Sequence, residues 1–253
     1  VHPMTLNILL LEDVHDSATP ILNTVPDAHV VRLKHAPDAS ELAALLPGIH
    51  LLGLRSRTAL SRDMLAHASS LMAVGAYCTG TNNIDLAAAQ SQKIIVCNAV
   101  GYATASVVQH TIALILALTT RLTNYVSDVK QGGWQQSSVG CLLDHPMFEL
   151  SGKTLGIVGY GELGRHVASV ARSLGMEIVT ARRPGVRPTE APLAAPDNAP
   201  SLSIEDVLSN ADVVSLHCPL TPLTHHLINQ PRLAMMKPSA LLVNTAPGGP
   251  IAS

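Results

Sequence analysis

The chain has 253 residues, 47% of them hydrophobic and 13% charged, with a net charge of -2. That length suits two domains of about 100–150 residues. The near-neutral charge leaves no basic surplus for nucleic acid and no acidic tail. The longest uninterrupted apolar run, Ile112–Leu118, is too short to span a bilayer, which excludes a membrane helix there. The N-terminal VHPMTLNILLLED lacks a positive region and a cleavage site, so no secretory signal is expected.

In chain order, LNILLLE (6–12), HVVRLK (29–34), HLLGLRS (50–56), LMAVGAY (71–77) and IIVCNAV (94–100) read as buried strands. Helix-like stretches SELAALLPG, SRDMLAHASS and IDLAAAQSQ lie between them. Continuous apolar strands alternating with helices predict a parallel sheet covered on both faces. One α/β domain is therefore expected over residues 1–100.

Val108, Ile112, Ile115, Leu118, Leu122 and Val126 recur at helical spacing and predict one long helix. Ser106 with Gln109 resembles a capping box, and Gly132–Gly133 supply the stop. Residues 133–150 read as irregular. A second α/β domain follows, spanning 101–253 with its leading helix. KTLGIVG is a strand and ELGRHVASVARSLG a helix, with Leu163, Val167, Val170 and Leu174 on one face. MEIVTA is the next strand. Residues 184–200 hold five prolines and read as a loop. SIEDVLSN is a short helix capped by Ser203, and ADVVSLHCP and ALLVNTA are further strands.

The four cysteines form no CxxC pair, and three lie in or beside apolar runs, as buried thiols do. A cytoplasmic, disulfide-free protein is expected. The twelve histidines show no metal-ligand spacing, so no metal is expected.

The segment GYGELG (159–164) fits GxGxxG between a strand and a helix. Gly159 would permit the tight turn. Gly161 would let a pyrophosphate approach the backbone, and Gly164 would let helix and strand pack closely. Glu162 and Leu163 complete this cofactor loop. The strand–loop–helix–strand setting makes it a dinucleotide site rather than a plain glycine turn. At the end of the next strand, where an acidic residue holds the ribose of NAD, stand Arg182 and Arg183. Two guanidiniums suit a 2′-phosphate, so NADP(H) is favoured over NAD(H); two solvated loop arginines are the alternative.

The stretches RSRT (55–58), GTNNIDLAAA (80–89), NAVGYATASVVQHTIALILAL (98–118), GKTLGIVGYGELG (152–164) and HCPLTPLTHHLIN (217–229) together resemble the D-isomer-specific 2-hydroxyacid dehydrogenases. The run from VKQGGWQQS to GYGELG looks most like the glycerate dehydrogenase (hydroxypyruvate reductase) branch. The resemblance covers essentially the whole chain. It implies two Rossmann/flavodoxin-like parallel-sheet domains with substrate in the cleft between them, and a homodimer built on the cofactor domain. The substrate would be a small 2-keto or 2-hydroxy acid such as hydroxypyruvate, glycerate or glyoxylate.

Carried over residue by residue, the resemblance places the substrate carboxylate on backbone N–H groups of Thr79 and Gly80. Arg55 and Ser56 match a loop facing the same cleft, though an ordinary strand end would read alike. Thr104 matches a position near the nicotinamide or a simple helix cap. His217, Cys218 and Pro219 match a segment lining the cofactor through its backbone, which argues against His217 as a catalytic base. Thr245 and Ala246 match the strand end below the nicotinamide. The family's catalytic set is an Arg, a Glu and a His. Its NTARGG segment reads NTAPGG here, so Pro247 stands at the arginine position. The Glu and His belong further downstream than this chain runs. The catalytic set is thus incomplete, the last strands of the cofactor domain would be missing, and impaired turnover is expected. A non-catalytic dinucleotide-binding protein is the competing reading.

Overall fold

The computed structural model describes residues 5–183, 185, 197–246 and 249–252. The chain divides into two units, Val1–Tyr102 and Ala103–Ser253. Each carries a five-stranded sheet whose strands all pair in parallel. That is the α/β class expected from the alternation of apolar runs and helices.

In the first unit the strands are β1 (Leu6–Leu10), β2 (Ala28–Arg32), β3 (Leu51–Leu54), β4 (Ala73–Ala76) and β5 (Ile95–Asn98), in the order β2-β1-β3-β4-β5. Leu9, Leu11, Leu52, Leu54 and Val74 are buried together with Leu42 and Leu65, while Ile8, Leu10 and Val14 join a separate cluster. The side chains of β1 alternate between the two clusters, so both faces of the strand are covered, as a continuous apolar run requires. A fully buried leucine of this kind stabilises the fold by about 1.5–3 kcal/mol.

The helices of this unit are α1 (Ala18–Leu22), α2 (Ala39–Leu45), α3 (Arg62–Ala66) and α4 (Leu86–Ser91). Three have side-chain caps: Asp38, Ser61 and Asp85 accept from the N–H groups of Glu41, Met64 and Ala88. The five residues of α1, with Pro20 among them, are too few to show helical periodicity, so no apolar repeat announces it.

The second unit comprises α5 (Thr104–Thr119), α6 (Leu122–Lys130), α7 (Gly133–Gln136), β6 (Thr154–Val158), α8 (Glu162–Ser173), β7 (Glu177–Ala181), β8 (Ser201–Leu202), α9 (Ile204–Asn210), β9 (Val213–Leu216), α10 (Gln230–Leu233) and β10 (Leu241–Asn244). The order β10-β9-β6-β7-β8 is the doubly wound arrangement, in which strand order reverses between β6 and β9. Ser203 caps α9 by accepting from the Asp206 N–H, as expected.

Five details correct the sequence expectations. The long helix is two helices, α5 and α6, bent by 63°. The hydroxyls of Thr119 and Thr120 bond back to the carbonyls of Ile115 and Leu116, and Arg121 turns left-handed at φ 52°. Only Val108 and Ile115 of the expected stripe are fully buried; Leu118, Leu122 and Val126 are exposed on this chain. Ser106 is no cap: α5 begins two residues earlier, and the Ser106 hydroxyl donates to the Ala103 carbonyl. On α8 the buried residues are Gly164, Val167, Ala168 and Ala171, while Val170 and Leu174 are exposed. Small residues bring this helix closer to the sheet than a stripe of large ones could. Among the cysteines only Cys218 is buried; Cys97 is exposed and Cys78 and Cys141 are intermediate.

Among the described residues no single helix is long and apolar enough to cross a membrane. Nor does any group of three or more His, Cys, Asp or Glu residues among them offer a metal site.

Candidate functional site

At the C-terminal end of β6 the three glycines of GYGELG meet three different surroundings. Gly159 has φ 98°, and a Cβ there would come within 2.6 Å of the His217 carbonyl carbon and the Cys218 nitrogen. Gly164 has no room either: its Cβ would lie 2.4 Å from the Gly159 carbonyl oxygen. Gly161 faces open space, with nothing within 4 Å of its missing Cβ. Gly161 is also the N-cap of α8, and no side chain caps that helix. The loop therefore joins two glycines that close the packing to one that leaves free N–H groups accessible. An anion could approach those groups, and the helix dipole favours it. These residues fit the pyrophosphate of a dinucleotide.

The neighbouring groups are held in place. Thr104, at the start of α5, donates its hydroxyl to Glu162 Oε1 at 2.9 Å. Leu163 packs against the core of this unit. Thr111 and Thr245 hydroxyls lie 3.0 Å apart, which ties α5 to the end of β10. The Ala246 N–H donates to Asn244 Oδ1. At the end of β9, His217 Nε2 and Ser215 Oγ are 2.8 Å apart, while Nδ1 is buried with no hydrogen-bond partner among the described residues. Burial pushes the His217 pKa down to about 4, so the ring is neutral near pH 7. Burial also raises the Cys218 thiol. Pro219 is exposed.

Beyond β7, the Arg182 N–H donates to the Leu202 carbonyl at 2.8 Å, which fixes its backbone at the edge of the sheet. Arg182 is half-buried and Arg183 exposed. Sequence reasoning missed Asp197, which Arg172 Nη1 meets at 2.6 Å and to which the Tyr160 hydroxyl donates. Burial works against the Asp197 charge, but these two partners hold its carboxyl below the usual range. Pro247 lies outside the described residues.

In the first unit, the loops at the C-terminal ends of β3 and β4 carry the expected substrate residues. Arg55 and Ser56 follow β3 and are exposed. Thr79 and Gly80 follow β4, and their backbone N–H groups make no hydrogen bond among the described residues. The loop is anchored from β5: Asn98 Nδ2 donates to the Thr79 carbonyl at 2.7 Å and the Thr79 hydroxyl to the Ala99 carbonyl at 3.3 Å. A Cβ at Gly80 would have only Asn82 Nδ2 for a neighbour, at 4.0 Å. Free N–H groups beside an exposed guanidinium suit a carboxylate.

Sequence reasoning also missed Glu12, just after β1. It is buried, and it accepts from the N–H groups of Arg55, Arg57 and Thr58. The only sign in the sequence was an acid directly behind a buried strand.

A doubly wound sheet with a glycine loop at its switch point defines a dinucleotide-binding α/β protein. Residues 112–253 match the family description "D-isomer specific 2-hydroxyacid dehydrogenase, NAD binding domain", and the chain belongs to that family. It is 37% identical over 243 residues to D-3-phosphoglycerate dehydrogenase of Haemophilus influenzae, covering 96% of this chain and 56% of that one. It is 34% identical over 209 residues to glycerate dehydrogenase of Methylorubrum extorquens, covering 83% and 62%. The chain thus spans less than two thirds of the length of these relatives. The crystal structure of the TT0316 protein from Thermus thermophilus superposes with a TM-score of 0.84 at 32% identity, covering 98% of this chain and 76% of that one.

Proposed function

We propose that this chain binds NADP(H) in its second unit and a small 2-keto or 2-hydroxy acid, of the glycerate or hydroxypyruvate kind, in its first. The observation that carries this is the contrast within the glycine loop. Gly159 and Gly164 leave no space, and Gly161 leaves an open approach to an uncapped helix N-terminus. The family's NAD-binding description supports a nicotinamide dinucleotide as cofactor, and the dehydrogenase names of the relatives support a small hydroxy acid as substrate. When bound, the nicotinamide supplies or accepts the hydride. Gly161 and the first turn of α8 hold the pyrophosphate. Thr104, Thr245, Ala246 and the backbone of His217–Pro219 surround the remainder of the cofactor, and Arg182 and Arg183 hold a 2′-phosphate. Arg55, Ser56 and the N–H groups of Thr79 and Gly80 hold the substrate carboxylate.

Pro247 favours a second reading, in which dinucleotide binding persists with little turnover. Proline has no donor and cannot replace the arginine that the family resemblance assigns there. A homodimer built on the second unit fits the exposed Trp134, Leu143 and Met147. The free thiols of all four cysteines fit a cytoplasmic location. Titration of the purified protein with NADPH, followed by fluorescence, tests the cofactor reading. Absence of saturable binding of either NADPH or NADH would remove it.

A further inference from the structure

We propose that Glu12 is a positioning residue that sets the Arg55 loop for anion capture. This inference rests on reading the first unit as the carboxylate-binding one. The strand order of that unit reverses between β1 and β3, and ligands of such sheets bind beyond the strand ends at that point. Glu12 follows β1 and Arg55 follows β3. Glu12 Oε1 accepts from the Arg55 N–H at 3.2 Å and the Thr58 N–H at 2.8 Å, and Oε2 accepts from the Arg57 N–H at 3.0 Å. From the other side, Asn83 Nδ2 donates to the carbonyls of Arg55 at 2.9 Å and Thr58 at 2.8 Å. Both donors and acceptors of the loop backbone are thus held from within, while the Arg55 and Ser56 side chains stay exposed.

This clamp has a chemical consequence. The N–H groups of Arg55, Arg57 and Thr58 are occupied by Glu12 and cannot cradle an external anion. They leave the exposed guanidiniums of Arg55 and Arg57 as the charges, and the unpaired N–H groups of Thr79 and Gly80 as the cradle. Cys78, next to Thr79, lies within the fields of both Glu12 and Arg55. An ionised carboxylate accepts at both oxygens and turns no donor toward the loop, whereas a glutamine would turn an NH2 toward at least one of the three N–H groups. Burial disfavours the Glu12 charge, yet the backbone N–H groups of Arg57, Thr58 and Arg55 hold its carboxyl below the usual range. Glu12 itself sits left-handed at φ 61°, a conformation rare outside glycine. Its N–H donates to the His35 carbonyl, which anchors it to the segment after β2.

The test uses the 253-residue protein and its Glu12→Gln, Asn83→Ala and Arg55→Ala variants. The probe is oxalate, a small planar dicarboxylate that cannot be reduced as a keto acid is. Amide hydrogen exchange reads the clamp, oxalate calorimetry the capture, and NADPH titration the untouched second unit. In Glu12→Gln, exchange at Arg55, Arg57 and Thr58 is expected to quicken about ten-fold, and oxalate affinity to fall about ten-fold, the scale of a charge-assisted hydrogen bond. NADPH affinity should stay unchanged. Asn83→Ala gives the same signature from the opposite side, should Glu12→Gln fail to fold. Unchanged exchange at the three amides overturns the clamp. Faster exchange with unchanged oxalate affinity overturns its role in capture, and the carboxylate reading then survives if Arg55→Ala loses oxalate. No oxalate binding by the unaltered protein overturns the carboxylate reading, and this inference with it.

Discussion

Gly159 stands against the His217 carbonyl with room for a hydrogen and nothing larger. A Cβ there would meet the His217 carbonyl carbon at 2.6 Å, and the residue's φ of 98° is itself unsuited to a side chain. The neighbouring atoms are backbone at the end of a buried strand and cannot give way. Gly159→Ala is therefore expected to destabilise the protein by about 3 kcal/mol or more, measured by urea denaturation. Gly161→Ala should behave differently, since its Cβ meets nothing within 4 Å. Its stability should change by less than about 1 kcal/mol while dinucleotide affinity drops, because the methyl occupies the pyrophosphate approach. Equal stability losses in the two variants would contradict this division of roles.

His217 gives the protein a pH dependence of definite sign. Its folded pKa is depressed to about 4 by burial, against an ordinary value of 6.5. The unfolded chain therefore takes up a proton first as pH falls. The neutral ring's contribution is fully present above pH 6.5 and is lost between there and about 4. The loss amounts to about 3 kcal/mol across that window. His217→Gln should flatten the stability curve between pH 6.5 and about 4, followed by denaturant titration at each pH. A parallel curve for the variant would show that other groups set the acid limb.

Much of this architecture was legible because apolar runs and turn residues agreed with the final packing. The five strands of the first unit and the glycine loop of the second are local patterns. What failed to show had causes that a pattern of large apolar residues does not carry. The break between α5 and α6 depends on Thr119 and Thr120 turning their hydroxyls onto the helix backbone, and on Arg121 adopting the left-handed region. An apolar repeat runs through that point without interruption. The buried face of α8 includes Gly164, Ala168 and Ala171, which a search for large apolar residues passes over. β8 has only two residues and is a strand because β7 is beside it. Glu12 acquires its partners across 43 to 46 positions, so no window of sequence reveals them.

Cofactor preference follows from the guanidiniums beyond β7. The Arg182 backbone is pinned by its bond to Leu202, so its side chain emerges from a fixed point. Asp197 is engaged by Arg172 and Tyr160 and offers no unpaired negative charge to repel a phosphate. NADPH is expected to bind more tightly than NADH. Arg182→Asp should weaken NADPH about ten- to hundred-fold while leaving NADH nearly unchanged, as loss of a charge-assisted contact requires. Fluorescence titration of both cofactors decides it, and an NADH preference in the unaltered protein would defeat the assignment.

Association should depend on the apolar residues that the second unit leaves in water. Trp134 is 53% exposed, Leu143 75% and Met147 55%. Large apolar side chains grouped at one stretch of a chain usually meet a partner surface. Sedimentation at micromolar concentration is expected to show a dimer, and a Leu143→Glu, Met147→Glu double variant a monomer with unchanged NADPH affinity. A monomeric unaltered protein would mean that these side chains serve another purpose.

Turnover is the property in which this chain is expected to depart from its relatives. The segment NTAPGG carries Pro247 at the position where the family resemblance assigns an arginine to hold the substrate's carboxylate and carbonyl. A charge-assisted hydrogen bond contributes about 1.5–3 kcal/mol, so its absence costs one to two orders of magnitude in transition-state affinity. With hydroxypyruvate and NADPH, followed by the absorbance of the reduced nicotinamide, the purified protein is expected to run about ten- to hundred-fold or more below rates typical of enzymes. Pro247→Arg should tighten oxalate binding about ten-fold and leave NADPH affinity where it was, because the added guanidinium acts on the acid and not on the dinucleotide. Two results would be decisive against this account. A rate of about 1 s⁻¹ or more in the unaltered protein would show that another residue supplies the missing donor. Tighter oxalate binding in Pro247→Arg that survives removal of the new charge, as in Pro247→Gln, would show that relief of the proline's backbone constraint, and not the guanidinium, was responsible.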